Sequence, residues 1–110
     1  MENSTVVEKD LDQLIGTDKE LVEAARHDPA AFSTLFHRYV TPVYRYLYRW
    51  VGNMSEAEDL TSQVFMDVLD GLVRYKERGN FDSWLFTIAR RKAIAAHRQM
   101  HPMLSLDQVE

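Results

Sequence analysis

The segment from Pro29 to Val51 constrains the fold most, because its apolar residues recur at every third or fourth position. This spacing predicts one long amphipathic helix whose buried side contributes most of the core. The residues of that side are Phe32, Leu35, Phe36, Tyr39, Val40, Val43, Leu47 and Trp50. With 110 residues, of which 45% are apolar, the chain is long enough for one domain with a hydrophobic core.

Two features of this segment need interpretation. Pro42 lies inside the predicted helix and lacks the N–H that the helix uses, so we expect a kink or a break near Arg38 to Thr41.

Several tyrosines could stack on nucleic-acid bases, but aromatic residues at helical spacing usually belong to a core. We therefore assign to the core Tyr39, Tyr44, Tyr46 and Tyr48.

Three further segments predict helices. A short helix is expected from Asp18 to His27, ahead of a proline. Glu58 follows Ser55 by three residues, a capping box that predicts a helix from Ser55 to about Tyr75. The last helix is expected to begin near Asp82, whose carboxylate can accept a bond from a first-turn N–H. The sequence thus predicts an all-α fold, a compact bundle of three long helices plus a short N-terminal helix.

The last predicted helix has two chemically different sides. Its apolar side consists of Phe81, Trp84, Leu85, Ile88, Ala89, Ala95 and Ala96. Its polar side consists of Ser83, Thr87, Arg90, Ile94, His97 and His101, with Arg91 and Arg98 at the rim. Lys92 falls on the apolar side and must extend towards water or lie beyond the core. No carboxylate follows Asp82 until Asp107, so we expect unpaired cations that favour an external polyanion.

The helix predicted from Ser55 also has a polar side with one flexible apolar residue. Its members are Asp59, Ser62, Gln63 and Met66. Taken alone, this pattern is more typical of a hydrated helix surface than of a binding site.

Composition and termini narrow the class of protein. The chain has no cysteine, which excludes disulfides and thiolate sites. The N-terminus lacks a signal pattern, and no apolar run approaches the roughly 20 residues of a membrane span. We therefore expect a cytoplasmic protein with no membrane partner. Residues 1–17 predict a flexible tail, residues 18–101 the helical domain, and residues 102–110 the start of an interdomain linker.

Charge is distributed unevenly, although the formal net charge is only −4. Residues 1–28 contain three cations and eight carboxylates, whereas residues 71–101 contain seven cations and two carboxylates. A chain polarised in this way can hold phosphate groups at its basic end while the acidic end stays hydrated.

Motifs for catalysis are missing from the sequence, which has no nucleophile elbow, phosphate loop or paired zinc motif. The sequence therefore predicts a protein that is not an enzyme. His97 and His101 have the spacing that lets two imidazoles share a metal ion, but no carboxylate follows them before Asp107. We expect neither a metal nor a cofactor.

Three separated motifs occur in a characteristic order. They are Asp28–Phe32 with Leu35 and Tyr39, then Ala57–Thr61 with Val64 and Phe65, then Phe81 with Ser83–Leu85 and Ile88–Arg90. Together they resemble region 2 of the extracytoplasmic-function (ECF) sigma factors of the sigma-70 family. The resemblance extends over about Asp18 to Arg98, which is most of the chain.

This resemblance implies a function, partners and site residues. It implies that the domain binds the RNA polymerase core at the clamp helices of the β′ subunit, and that it recognises and melts the promoter minus-ten element on the non-template strand. An anti-sigma factor is implied as a further partner. The implied polymerase-binding residues are Asp59, Ser62, Gln63 and Met66. The implied DNA-binding residues, from a loop that captures a flipped base and from the last helix, are Tyr75, Lys76, Arg78, Asn80, Ser83, Arg90, Arg91, Lys92, Ile94, His97 and Arg98.

The chain departs from the pattern of that family at three places. Ser62 and Gln63 stand where Gln-Glu is frequent, so one carboxylate of the polymerase-binding face is missing. Arg91 stands where asparagine is common, which favours contact with phosphate or guanine. Ile88 and Ala89 lie near the place of a tryptophan pair in housekeeping sigma factors, so melting is expected to depend on the loop.

A second hypothesis stays open. The sequence ends at Glu110, before the second helical domain that reads the minus-thirty-five element in these sigma factors, so we expect weak binding of single-stranded minus-ten DNA. Together with the net acidity, this allows a region-2-like interaction module that binds polymerase or an anti-sigma factor without reading DNA.

Overall fold

A computed structural model describes residues 18–75 and 80–100 of the chain. These residues form four helices, confirming the predicted all-α bundle: α1 Asp18–Ala25, α2 Pro29–Val51, α3 Met54–Leu72 and α4 Phe81–Met100. The predicted tail (1–17) and linker (102–110) lie outside the described residues. None of the helices within the described ranges combines the length and hydropathy of a membrane span.

Helix α2 has the predicted bounds, and local contacts explain both ends. The Asp28 side chain accepts a hydrogen bond from the Ala30 N–H at 2.9 Å, and Pro29 occupies the first turn. Gly52 ends the helix with a φ of +65°, and its N–H donates to the Tyr48 carbonyl at 2.7 Å.

Of the kink or break expected near Arg38 to Thr41, the break at Pro42 is wrong, because α2 is one continuous helix from Pro29 to Val51. Pro42 lies on the exposed side of α2, while the opposite side packs against α1, α3 and α4. Packing along the whole length offsets the hydrogen bond that the proline cannot donate.

The N-cap of helix α3 lies two residues earlier than the capping-box pattern predicted. Asn53, not Ser55, is the N-cap, and its side-chain oxygen accepts a hydrogen bond from the Glu56 N–H at 2.9 Å. Asparagine caps at least as well as serine, and Asn53 with Glu56 repeats the same spacing. The end at Leu72, rather than at about Tyr75, follows from two tight turn bonds, Arg74 N–H to Gly71 at 3.0 Å and Tyr75 N–H to Leu72 at 3.2 Å.

The core lies between α2, α3 and α4, with a smaller contribution from α1. Its largest fully buried side chains are Leu35, Leu47, Leu72, Leu85, Val22, Val43, Val64 and Val68.

Two residues that the sequence assigned to the core are exposed. Tyr48 is 41% exposed rather than part of the core. On α4 Ala93 is buried along with the predicted Ala89, whereas Ala95 is exposed, because the buried row continues from Phe81 in steps of four residues.

Helix α1 is held to α2 by polar contacts in addition to its buried Val22 and Ala25. The Asp18 carboxylate forms an ion pair with the Arg38 guanidinium and accepts a hydrogen bond from the Tyr39 hydroxyl. Burial, followed by the hydrogen bond to Asp18, raises the pKa of Tyr39 above its usual range, which keeps the hydroxyl protonated and donating. The ring of Tyr39 also packs against Phe81 at the start of α4.

Removing the hydroxyl of Tyr39 tests this attachment. We expect Tyr39→Phe to lower the free energy of unfolding by about 1 kcal/mol, because Asp18 loses a hydrogen bond in a partly buried site. The raised pKa makes this contribution fully present below the unfolded tyrosine's pKa of about 10, and it is lost as the pH rises towards the folded value. Urea denaturation near neutral pH measures the difference.

The control is Tyr48→Phe, which removes a hydroxyl from an exposed ring on the same helix. We expect a change within about 0.5 kcal/mol for this variant. Equal effects of the two substitutions would contradict the role assigned to the Tyr39 hydroxyl.

Candidate polymerase and nucleic-acid surfaces

Helix α3 presents one continuous exposed surface, called here the outer face of α3. The structure brings the four predicted residues together on it, since all are exposed and successive helical turns align them: Asp59, Ser62, Gln63 and Met66. Met66 is 66% exposed, an unusual position for a large apolar side chain. The outer face therefore combines polar groups with an apolar residue that is free of core contacts.

Two residues that the sequence analysis missed extend the outer face. Leu69 is 51% exposed and Val73 is 69% exposed, and both follow Met66 at the spacing of neighbouring turns. Asp59, Ser62, Met66, Leu69 and Val73 are separated by three, four, three and four residues, which is the heptad spacing of a helix-pairing seam. That spacing was visible in the sequence, but apolar residues at such positions are assigned to a core by default.

A groove of about 490 Å³ lies beside the outer face, between α2 and α3. Phe36, Val40 and Tyr44 line it from α2, and Glu58 and Ser62 line it from α3. Because Ser62 belongs to both, the groove and the outer face form one continuous surface.

Helix α4 carries the predicted cationic surface. Arg90, Arg91 and Arg98 are exposed, as expected for groups that contact phosphate. Lys92 is different, because its ammonium group forms an ion pair with the Asp67 carboxylate of α3 at 3.0 Å. The expectation that all of these cations are unpaired is therefore wrong for Lys92. The sequence could not reveal this pair, since its two residues are far apart in the chain and meet only when α3 and α4 pack.

Two predicted DNA-binding residues of α4 are only partly accessible. Ile94 and His97 are half-buried, and the His97 ring packs edge-on against Trp50 of α2 with ring centroids 5.6 Å apart. His101 lies outside the described residues. Within the part of the chain that the structure describes, no three histidines or carboxylates are grouped as they would be around a metal ion.

An aromatic cluster joins the end of α3 to the start of α4. Tyr75 and Trp84 have ring centroids 4.6 Å apart, and Phe81 lies 6.1 Å from Tyr75 and 5.8 Å from Trp84. The six-membered ring of Trp84 also lies over Gly71, where a Cβ atom would come within 3.0 Å of it. Tyr75, predicted to contact DNA, is thus buried among aromatic rings and not freely exposed.

The remaining predicted residues lie at or near the turn before α4. Asn80 and Ser83 are exposed, and the first-turn N–H of Ser83 donates to the Asp82 carboxylate at 2.9 Å. The Asn80 carbonyl accepts a bond from the Trp84 N–H at 3.4 Å, which connects the turn to the aromatic cluster. Lys76 and Arg78 lie outside the described residues.

Comparisons with known proteins identify the family of this chain. Residues 35–101 match the family model described as Sigma-70 region 2, which is more than half of the chain. The chain belongs to the sigma-70 region 2 family. The match includes α3 and α4 and most of α2, but it does not include α1.

The chain is also similar to individual sigma factors. The ECF RNA polymerase sigma factor BldN of Streptomyces coelicolor is 45% identical over 73 residues, which cover 64% of this chain and 28% of the relative. The ECF RNA polymerase sigma factor SigW of Bacillus subtilis is 28% identical over 89 residues, which cover 81% of this chain and 48% of the relative. The matched part therefore spans less than half the length of either relative.

The two helices of this region 2 domain that carry the candidate surfaces have opposite charge. Helix α3 contains five carboxylates and no lysine or arginine, whereas α4 contains four such cations and one carboxylate. An acidic, partly apolar surface and a basic surface thus lie on neighbouring elements of the bundle.

Substituting Gly71 tests the packing of Trp84. Alanine normally favours a helix by up to about 1 kcal/mol over glycine. At position 71 the new Cβ meets the Trp84 ring at 3.0 Å, and that ring also packs against Tyr75 with ring centroids 4.6 Å apart. We expect Gly71→Ala to displace Trp84 and to cause a net loss of stability, because overpacking costs about 1–3 kcal/mol. Thermal unfolding and the NMR signal of the Trp84 indole N–H report the two effects, and a stabilised variant with an unmoved signal would contradict the expectation.

Proposed function

We propose that the chain is the part of a sigma factor that binds the RNA polymerase core through the outer face of α3 and promoter minus-ten DNA through α4. The observation that carries this proposal is the pairing of an acidic, partly apolar helix surface with a basic one inside a region 2 fold. A surface that contacts nucleic acid needs cations, whereas a surface that contacts protein is better served by apolar residues within a polar rim. Such a protein acts in the cytoplasm.

The outer face of α3 suits a helical partner. Met66, Leu69 and Val73 form an exposed apolar row, and Asp59 continues it at heptad spacing. Apolar residues at this spacing pack into the side of another helix, and flanking carboxylates favour a partner that supplies cations. We propose that the partner is the pair of clamp helices of the polymerase β′ subunit, with Asp59, Ser62, Gln63 and Met66 in contact.

The basic surface of α4 suits a single strand of DNA. Arg90, Arg91 and Arg98 are exposed and available to phosphates. Asn80 and Ser83 offer polar side chains at the start of the same helix, close to the aromatic cluster. A base removed from the stack needs polar groups and aromatic surface of this kind to hold it. We propose that these residues contact the non-template strand, together with Tyr75, Lys76, Arg78, Lys92, Ile94 and His97.

A second candidate function is protein binding without DNA reading, with polymerase or an anti-sigma factor as the partner. Two observations favour it: Tyr75 is buried, and Lys92 is paired with Asp67. Both side chains were predicted to contact DNA, and these interactions already engage them within the bundle. Capture of the polymerase core by a chain that binds no minus-ten oligonucleotide would favour this alternative.

The DNA surface is tested by fluorescence anisotropy with labelled single-stranded minus-ten-like oligonucleotides. We expect the double variant Arg90→Ala/Arg91→Ala to bind more weakly than the parent chain. Its log–log salt slope should be flatter by about 0.7 for each lost phosphate contact on a single strand.

The matched control is Arg45→Ala/Arg49→Ala, which removes the same charge from the exposed side of α2. We expect this control to keep the salt slope of the parent. If both pairs of substitutions change the slope equally, only net charge matters and α4 is not the DNA surface.

The polymerase surface is tested with two methionines that are exposed to nearly the same degree. Met66 is 66% exposed on the outer face of α3, and Met54 is 63% exposed in the first turn of the same helix. We expect Met66→Glu to weaken binding to the polymerase core at least about tenfold, because it places a charge within the apolar row. Met54→Glu should leave the affinity unchanged.

Surface plasmon resonance with immobilised polymerase core measures both variants, and oligonucleotide binding by Met66→Glu should equal that of the parent. Unchanged polymerase affinity in Met66→Glu, with the fold intact, would remove the outer face of α3 from the proposal.

A further inference from the structure

The C-terminal end of α3 lacks the cation that usually stabilises a helix end. A helix leaves its last carbonyl oxygens without partners in the helix, and its dipole places negative charge there. Lysine or arginine in the last turn commonly compensates for both, but the last turn of α3 contains neither. This end also leads directly into Tyr75 and the aromatic cluster.

Arg26 supplies that cation from another part of the chain. Arg26 is the residue after the end of α1, and its side chain reaches the end of α3. There one terminal guanidinium nitrogen donates to the Val73 carbonyl at 3.2 Å, and the other donates to the Tyr75 carbonyl at 2.5 Å. The guanidinium is also paired with the Glu23 carboxylate at 3.2 Å, and its side chain is only 17% exposed. Because the guanidinium is planar, its two donated hydrogen bonds fix the two carbonyl oxygens in one orientation.

The backbone that Arg26 holds determines where the aromatic cluster lies. Tyr75 is the last described residue before the segment 76–79, and its ring packs against Trp84 and Phe81 of α4. The Phe81 ring also packs against the ring of Tyr39, and the Tyr39 hydroxyl donates to the Asp18 carboxylate of α1. The segment 18–26 therefore acts on the cluster from two sides, through the bond of Arg26 to the Tyr75 carbonyl and through the contact of Asp18 with Tyr39.

We propose that Arg26 is a positioning residue for promoter reading. It fixes the Tyr75 backbone, so that the aromatic cluster and the exposed polar groups Asn80 and Ser83 have one defined geometry for a captured base. The proposal rests on the proposed DNA-binding function, and it extends that function to a helix that the family match does not include. Because Arg26 acts through Tyr75, its loss should lower base selectivity more than total affinity.

The experiment compares the parent chain with four variants of the full 110-residue protein. Arg26→Met removes the guanidinium, and Arg26→Lys keeps its charge without the paired geometry. Glu23→Gln removes the neighbouring carboxylate but leaves both carbonyl contacts. Arg45→Met removes one cation from an exposed position on α2 and so controls for net charge.

Two measurements are made on each variant. The first is the NMR signal of the Trp84 indole N–H, with Trp50 as the internal reference, since the chain has two tryptophans. The second is the ratio of the anisotropy-derived affinities for the best single-stranded minus-ten-like oligonucleotide and for its scrambled sequence.

We expect Arg26→Met to shift the Trp84 signal but not the Trp50 signal, and to lower the selectivity ratio by roughly three- to tenfold, the scale of one or two hydrogen bonds. Arg26→Lys should give an intermediate ratio. Glu23→Gln should match the parent, and Arg45→Met should leave the ratio unchanged. Thermal unfolding identifies any variant that fails to fold. If Arg26→Met does not fold, the parent is compared with Arg26→Lys instead.

The failure of this proposal is distinguishable from the failure of the function on which it rests. A selective parent whose ratio survives in folded Arg26→Met or Arg26→Lys overturns the positioning role, whether or not the Trp84 signal moves. A parent with no selectivity overturns DNA reading by the free chain, and with it the role of Arg26 in reading. An unmoved Trp84 signal in Arg26→Met overturns the contact with the aromatic cluster in either case.

Discussion

Burial of the apolar side of α2 is the interaction on which the rest of the bundle depends. This helix is the only one among the described residues that packs extensively against each of the other three. Leu35, Val43 and Leu47 of α2 are fully buried, and each contributes about 1.5–3 kcal/mol by leaving water. Covering the long stripe requires α3 and α4 together, so the two helices become neighbours with their outer sides free.

The chemical difference between the two candidate surfaces follows from this arrangement. Each of α3 and α4 uses one side for the core, and the side left over carries residues that the core does not need. On α3 that side holds carboxylates and an apolar row around Met66, while on α4 it holds arginines. Lys92 and Asp67 join the two helices by an ion pair, so the surfaces are not mechanically independent.

Polar contacts between distant segments set the finer geometry. Asp18 binds Arg38 and Tyr39, and Arg26, the residue after α1, binds the carbonyls of Val73 and Tyr75. The short segment 18–26 therefore holds both α2 and the end of α3. Each contact contributes about 1 kcal/mol or somewhat more, which is small beside the core. These contacts matter because hydrogen bonds are directional, so they fix relative orientations of the segments that apolar packing leaves free.

The sequence by itself determined the elements of this protein. Helical periodicity predicted all four helices and the shared side of Asp59, Ser62, Gln63 and Met66 on α3, because helical period is a local property. The error at Asn53 is also local, because a better cap lay nearby, whereas at Pro42 tertiary packing outweighed a missing hydrogen bond and no break formed. Only the tertiary structure decided that Lys92 is paired, that Tyr75 is enclosed by aromatic rings, and that Arg26 completes the end of α3. These contacts join residues distant in sequence, and their existence depends on how whole helices pack, which no local pattern encodes.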